Sequence, residues 1–112
     1  MREAESFVSL AEAVAEGRLS AREFKVLCRP LFQFSHCHFL SREEFVAARD
    51  LFFVSDEYWD GAGDPPPDHL TAAEVRAKVA EIAVRLRTLM TEDEQRIRLR
   101  ESRAEDPGES LA

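Results

Sequence analysis

The stretch GRLSAREF, residues 17–24, separates two segments whose apolar residues recur at helical spacing. Gly17 follows the first segment and readily adopts the left-handed conformation that ends helices. Ser20 and Glu23 have the spacing of a capping box, in which each side chain accepts a hydrogen bond from the backbone amide of the other residue. The stretch therefore predicts the end of one helix and, directly after it, the start of the next.

The same box recurs at Ser41–Glu44 and Thr71–Glu74, each followed by apolar residues at spacings of three and four. The residues predicted to line the buried faces of the four helices are Phe7, Leu10, Ala11 and Val14; Phe24, Leu27, Cys28 and Leu31; Phe45, Ala48, Leu51 and Phe52; and Val75, Val79, Ile82, Leu86 and Leu89. Pro30 is predicted to kink or end the second helix because it lacks an N–H. No segment alternates like a half-buried strand, so we expect an all-α fold.

Helices joined by short connections pack as neighbours, so we expect an antiparallel up-and-down four-helix bundle with a long acidic loop between helices 3 and 4. The bundle domain is expected to cover residues 1–103, followed by a disordered tail over 104–112. Thr91–Glu94 fits either a fourth capping box or a solvated part of a long fourth helix. Arg96–Arg103 fits a solvated helix end better than a nucleic-acid patch, because acidic residues lie on both sides.

The composition argues against several functions. A net charge of −7 and a pI near 5.0 argue against direct nucleic-acid binding and favour a basic protein partner. No apolar run is long enough to span a membrane, and the first residues lack a signal-peptide pattern, so we expect a cytoplasmic protein. No glycine-rich phosphate loop or metal-binding helix motif is present, and we expect neither catalysis nor a cofactor.

A metal site is one alternative, because Cys28, His36, Cys37 and His38 carry the thiol and imidazole groups that zinc prefers. Structural zinc sites usually bring paired ligands, two to four residues apart, from two separate turns. Here three of the groups are consecutive and point in different directions. For the same reason Cys37 and its neighbouring His residues are a weak nucleophile–base pair. We therefore predict no metal site and no catalytic residue.

The segment SDEYWDGAGDPPPDHL, residues 55–70, combines five carboxylates with a Tyr and the single Trp, without any Lys or Arg. Loops longer than about twelve residues in compact domains are usually functional or disordered. Tyr and Trp are also enriched at binding hot spots. An inert solvated linker, with Trp59 folded back on the bundle, is the alternative. The residues predicted to bind a protein partner are Asp56, Glu57, Tyr58, Trp59, Asp60, Asp64 and Asp68.

The chain from Ser6 to Leu89 resembles the immunity proteins of the colicin D type. The matching motifs are residues 17–24, Leu51-Phe52 followed by Asp56-Glu57-Tyr58, and LTAAEVR at residues 70–76. Proteins of that family are small four-helix bundles that occupy the basic active site of a tRNA-cleaving toxin domain. The resemblance therefore implies an inhibitor whose acidic residues imitate the phosphates of RNA.

By position, Asp56, Glu57 and Asp60 fall where the acidic face of that family begins, and Asp64 and Asp68 extend it into a longer Pro-rich insertion. The expected partner is a cognate basic nuclease toxin domain, and the free protein is expected to be a monomer or a weak homodimer. A helical adaptor or self-associating regulatory protein without a toxin partner is the alternative function.

Overall fold

The computed structural model describes residues 3–34 and 39–104 of the chain. Four α-helices occupy this part: α1 spans Glu3–Ala15, α2 Ala21–Gln33, α3 Arg42–Glu57 and α4 Ala72–Ala104. No strand occurs in the described residues, which contain one isolated backbone bridge, so the predicted all-α fold is confirmed. None of these four helices combines the length and the apolar content needed to cross a membrane.

The starts of α2 and α4 are the predicted capping boxes. The Glu23 amide donates to Ser20 Oγ at 3.1 Å, and the Ser20 amide donates to Glu23 Oε1 at 3.0 Å. Thr71 and Glu74 exchange the same two bonds at 3.0 and 3.2 Å. The bond from the cap amide lowers the pKa of each of these Glu carboxyl groups. Gly17 has a φ of 81°, the left-handed conformation predicted for a residue that ends a helix.

The box predicted at the start of α3 is half formed. Ser41 Oγ accepts from the Glu44 amide at 3.2 Å, but Glu44 Oε1 accepts from the Leu40 amide at 3.4 Å instead of closing the box on Ser41. Glu44 is fully buried, and its carboxyl group is hydrogen bonded to that of Asp93 on α4. The side chain is therefore drawn into the interior, which the capping pattern does not foresee.

Asp93 ties α4 to the start of α3. Its side chain is only 2% exposed; Oδ2 accepts from Ser41 Oγ at 2.6 Å and Oδ1 pairs with Arg96 at 2.9 Å. Burial raises the pKa of Asp93, but the hydrogen bonds with Glu44 and Ser41 and the Arg96 charge outweigh it, so the pKa is lowered overall.

Aromatic side chains from the first three helices and from Phe39 meet in one cluster. The rings of Phe32 and Phe52 stack with centroids 5.0 Å apart, and Phe7 meets Phe32 edge-on at 6.2 Å. Phe39 and Phe45 complete the cluster. α4 packs against both α1 and α3, and α2 packs mainly against α3. The Phe-rich composition therefore serves chiefly to join helices.

The prediction that Leu27 is buried is wrong, because its side chain is 47% exposed. The inner face of α2 is narrow: Phe24 and Cys28 are fully buried, whereas Leu31 is half-buried at the margin of the core. Leu27 lies about 100° around the helix from Cys28, on the side that faces solvent. Three other residues predicted to be buried are also only half-buried: Phe45, Phe52 and Leu89.

Neither Pro30 nor the Thr91–Glu94 segment interrupts a helix. α2 continues past Pro30 to Gln33 before it ends.

α4 runs through residues 91–94 without a break, as in the second of the two alternatives. The residues of α4 after Asp93 add about 16 Å beyond its contact with the start of α3, and the side chains from Arg98 to Ser102 are exposed. Ala104, predicted to begin the tail, ends α4, and residues 105–112 lie outside the described part.

Replacing Asp93 with Ala should lower the free energy of unfolding by about 1–3 kcal/mol, because Ser41 Oγ and Glu44 lose a buried partner. Urea unfolding followed by circular dichroism measures the effect. The exposed neighbour Glu92 is the control, and Glu92→Ala should stay within about 0.5 kcal/mol of wild type. An equal loss in both variants would contradict a specific role for Asp93.

The contribution of Asp93 should also depend on pH. A carboxyl group whose pKa is lowered in the folded protein stabilises it fully above the unfolded pKa of about 4, and this stabilisation is lost as the pH falls below that value. The difference in unfolding free energy between wild type and Asp93→Ala should therefore shrink below about pH 4. A difference that stays constant in more acidic solution would contradict the lowered pKa.

Candidate functional site

Two backbone hydrogen bonds close the connection between α3 and α4. The Trp59 amide donates to the Leu70 carbonyl at 3.0 Å, and the Leu70 amide donates to the Glu57 carbonyl at 2.8 Å. Tyr58 and Leu70 thereby form an isolated parallel bridge. Residues 59–69 are consequently a closed loop with adjoining ends, an arrangement typical of compact Ω-loops. We call residues 56–69, the last turn of α3 together with this loop, the acidic loop segment.

All five carboxylates predicted as binding residues are exposed. Asp56 and Glu57 lie in the last turn of α3, whereas Asp60, Asp64 and Asp68 lie in the closed loop. Glu57 and the three loop Asp residues make no ion pair with any described residue. The bridge between Tyr58 and Leu70 fixes the two ends of the loop. The distances between these four carboxylates are therefore limited by the short stretches of chain that connect them.

Asp56 differs from the other four carboxylates because it has a cationic partner. Its Oδ1 pairs with Arg29 of α2 at 3.2 Å, and both side chains are more than half exposed. Lys25, one turn earlier on α2, donates to the Tyr58 carbonyl at 2.9 Å and more weakly to the Asp56 carbonyl at 3.5 Å. A cation at these carbonyls stabilises the carboxyl end of α3. Asp56 therefore contributes to the fold as well as to the predicted site.

The aromatic residues of the site are half-buried in the free protein. Tyr58 packs against the core, and Trp59 packs within its own loop, with its ring 5.5 Å from that of His69 and nearly perpendicular to it. A Cβ atom at Gly61 would lie 2.6 Å from Trp59 Cζ2, closer than real contacts allow. The Trp59 position therefore requires glycine at 61. Trp59 Nε1 and His69 Nδ1 are buried and have no hydrogen-bond partner among the described residues.

The metal alternative can be followed only at Cys28, because His36, Cys37 and His38 lie outside the described residues. Burial raises the pKa of the Cys28 thiol to about 11, although a hydrogen bond with Ser55 opposes the shift. The thiol is thus protonated at neutral pH, which disfavours metal ligation and nucleophilic attack. No group of three or more potential metal ligands lies together within residues 3–34 and 39–104.

The arginines near the end of α4 form no compact patch with the acidic loop segment. Arg96 pairs with Asp93, while Arg98 and Arg100 are exposed and make no ion pair with a described residue. They lie beyond the Asp93 contact with the start of α3, whereas the acidic loop segment lies at the end of α3. The two oppositely charged regions are therefore separated along α3.

Comparisons of the chain with protein-family models, with curated proteins and with solved structures find no match. The class of the molecule thus follows from its own geometry. Its described residues form four helices and a closed, carboxylate-rich loop segment with two half-buried aromatic residues.

Sequence reasoning found the carboxylates and the aromatic residues of this segment but missed Lys25 and Arg29. Both cations come from α2 and act on residues 27 to 33 positions away. Their spacing of four places them on the same side of α2, which is a detectable signal. The spacing of Lys25 and Arg29 does not show which other helix they contact, so their partners at the end of α3 could not be predicted from the sequence.

Replacing Gly61 with Ala should displace the Trp59 ring, because the added methyl group occupies the position of the ring edge. We expect the fluorescence of this single Trp to shift to longer wavelength, with unchanged helical circular dichroism and a stability loss of about 1 kcal/mol. Ala62→Ser, at the exposed neighbouring position, is the control and should leave the emission unchanged. Identical spectra for wild type and Gly61→Ala would contradict the described ring position.

Proposed function

We propose that the protein is an immunity protein, which binds a cognate bacterial toxin and inhibits it by occupying its basic active site. The toxin is a nuclease that cleaves tRNA, and the carboxylates of the acidic loop segment take the places of RNA phosphates. In this proposal the helices form an antiparallel up-and-down bundle, and the protein works in the bacterial cytoplasm without catalysis or a cofactor. The main support is the set of four exposed carboxylates on a closed loop segment, none of which makes an ion pair with a described residue.

Charge complementarity makes this partner suitable. A nuclease binds phosphates through Arg and Lys, and a carboxylate can accept charge-assisted hydrogen bonds from the same groups. The net charge of −7 would also attract a basic domain over a distance and speed its encounter with the inhibitor.

Loop closure favours tight binding for a different reason. Ordering a flexible segment upon binding costs conformational entropy, about 1–2 kcal/mol per residue for the backbone alone. The bonds between residues 57, 59 and 70 have fixed the ends of the loop before a partner arrives. A preorganised loop loses less entropy on binding, so more of the interaction energy appears as affinity.

The seven predicted site residues take different parts in this proposal. Glu57, Asp60, Asp64 and Asp68 contact the cations of the toxin directly. Asp56 belongs to the same acidic surface, although its side chain is already paired with Arg29. The accessible parts of Tyr58 and Trp59 supply apolar contact, and truncation of such a residue costs about 2 kcal/mol or more where it becomes fully buried in an interface.

Co-expression tests the proposed function. Each gene adjacent to the one for this protein is expressed in a susceptible bacterium, with and without this protein, and growth is followed. We expect one neighbour to be toxic alone and harmless in the presence of this protein, with tRNA cleavage suppressed in extracts. Equal killing by that toxin in both cultures would overturn the proposal.

Charge reversal tests the site itself. Glu57, Asp60 and Asp64 changed together to Lys should slow association with the toxin by about 10-fold or more at low salt, and much less at high salt. Trp59 fluorescence in stopped flow measures the rate. A triple Lys variant at Glu81, Glu92 and Glu101, all exposed on α4, changes the net charge equally and should retain much more of the rate. Equal slowing in both variants would show that net charge, rather than this segment, governs association.

A helical adaptor or self-associating regulatory protein is the second candidate function. It is favoured by the apolar side chains that α2 exposes to solvent. Two measurements distinguish it from the first candidate. Light scattering shows whether a stable oligomer forms in the absence of any partner, and Trp59 fluorescence shows whether that oligomer buries Trp59. An oligomer that does so would support the adaptor.

A further inference from the structure

The last turn of α3 carries charges that oppose the end of a helix. The free carbonyl groups at the carboxyl end of a helix give it a partial negative charge, which cations stabilise and carboxylates destabilise. This turn nevertheless contains Asp56 and Glu57 and no basic residue. The acidic loop segment thus begins where the helix itself disfavours carboxylates, and the compensating cations come from another element.

α2 supplies these cations. Lys25 Nζ donates to the Tyr58 carbonyl at 2.9 Å and more weakly to the Asp56 carbonyl at 3.5 Å. Arg29 pairs with the Asp56 side chain at 3.2 Å. The two cations act on different groups, because Arg29 meets an exposed carboxylate whereas the half-buried Lys25 meets the backbone. Lys25 therefore binds the main chain at the point where the loop begins.

The Tyr58 carbonyl belongs to the peptide group whose amide closes the loop. Tyr58 leaves the helical conformation, with φ −66° and ψ 128°, and the next amide, that of Trp59, donates to the Leu70 carbonyl at 3.0 Å. In a trans peptide the C=O and N–H groups point in opposite directions within one plane. Lys25 therefore holds this peptide group from one side and Leu70 holds it from the other. A rotation of the peptide plane would break both bonds.

We propose that Lys25 is a positioning residue for the acidic loop segment. Its ammonium fixes the peptide group between Tyr58 and Trp59 in the orientation that lets Trp59 pair with Leu70, and so keeps the loop closed before a partner arrives. The carboxylates of the closed loop have fewer arrangements to lose, so binding costs them less entropy. The role of Lys25 in toxin binding rests on the proposed function, whereas its role in loop closure does not.

The direction of the expected effect separates positioning from simple electrostatics. Lys25 is a cation beside a surface that attracts a basic domain in the proposed function, so its charge by itself weakens that attraction. Replacing Lys25 with Met changes the net charge from −7 to −8, and charge alone then predicts faster association and tighter binding. Positioning predicts weaker binding, because the loop opens more often when the ammonium is absent.

Amide hydrogen exchange of the full chain, followed by NMR without any partner, tests loop closure. Lys25→Met keeps an unbranched side chain of similar helix propensity but removes the ammonium. The Trp59 and Leu70 amides should then exchange about 10-fold faster or more, while the amide of Leu86, a buried residue of α4, should exchange as in wild type. Lys25→Arg should restore slow exchange, because a guanidinium can donate to the same carbonyl.

Lys78→Met is the matched control, because Lys78 is the only other lysine of the chain and lies exposed on α4. It changes the net charge equally, and both loop amides should exchange as in wild type. Unchanged exchange of the loop amides in Lys25→Met would overturn the positioning role. An equal acceleration at Leu86 would overturn it too, because it would show a general loss of stability instead of a local opening.

Affinity for the toxin identified by co-expression is the second measurement. The dissociation constant should rise about 10-fold for Lys25→Met and stay equal or fall for Lys78→Met, although both variants have the same net charge. Lys25→Arg should bind like wild type. Equal affinities of the two Met variants would overturn the role of Lys25 in binding. Failure of the co-expression test would overturn the proposed function alone, because the exchange measurement needs no toxin.

Discussion

The two backbone hydrogen bonds between residues 57, 59 and 70 are the constraint on which the acidic loop segment depends. They hold the end of α3 against Leu70, two residues before α4 begins, and so fix the span of the loop. At the other end of α3, Ser41 and Asp93 form the corresponding tie to α4. Contacts at both ends of α3 thus join it to α4 or to Leu70, two residues before α4. These contacts oppose a shift of one helix along the other, and the loop is attached to this helix pair.

The partners of the acidic residues separate those that serve the fold from those available for binding. Asp93 and Glu44 are buried and hydrogen bonded to each other, so they belong to the interior. Asp56 pairs with Arg29 at the surface, where such a pair contributes little stability but limits the freedom of both side chains. The remaining carboxylates of the acidic loop segment have no such partner among the described residues. High acidic content alone does not reveal this distinction.

The predictions that rest on neighbouring residues were the most accurate. Capping boxes at Ser20 and Thr71 need only residues three apart, and both form as predicted. Leu27 was misplaced because α2 is apolar on two sides, and periodicity alone does not tell which side faces the core. Glu44 left its expected box for a partner on α4, and loop closure likewise depends on contacts between residues far apart in the chain. Such contacts are set by packing, which a local pattern does not contain.

The length of α4 has a practical consequence for surface-based measurements. Its residues after Asp93 extend about 16 Å beyond the contact with the start of α3, while the acidic loop segment lies at the end of that helix. An affinity tag attached after Ala104 would therefore anchor the molecule to a sensor chip by the end remote from the loop. The carboxylates would then face the flowing solution, and immobilisation would not hide the surface under study.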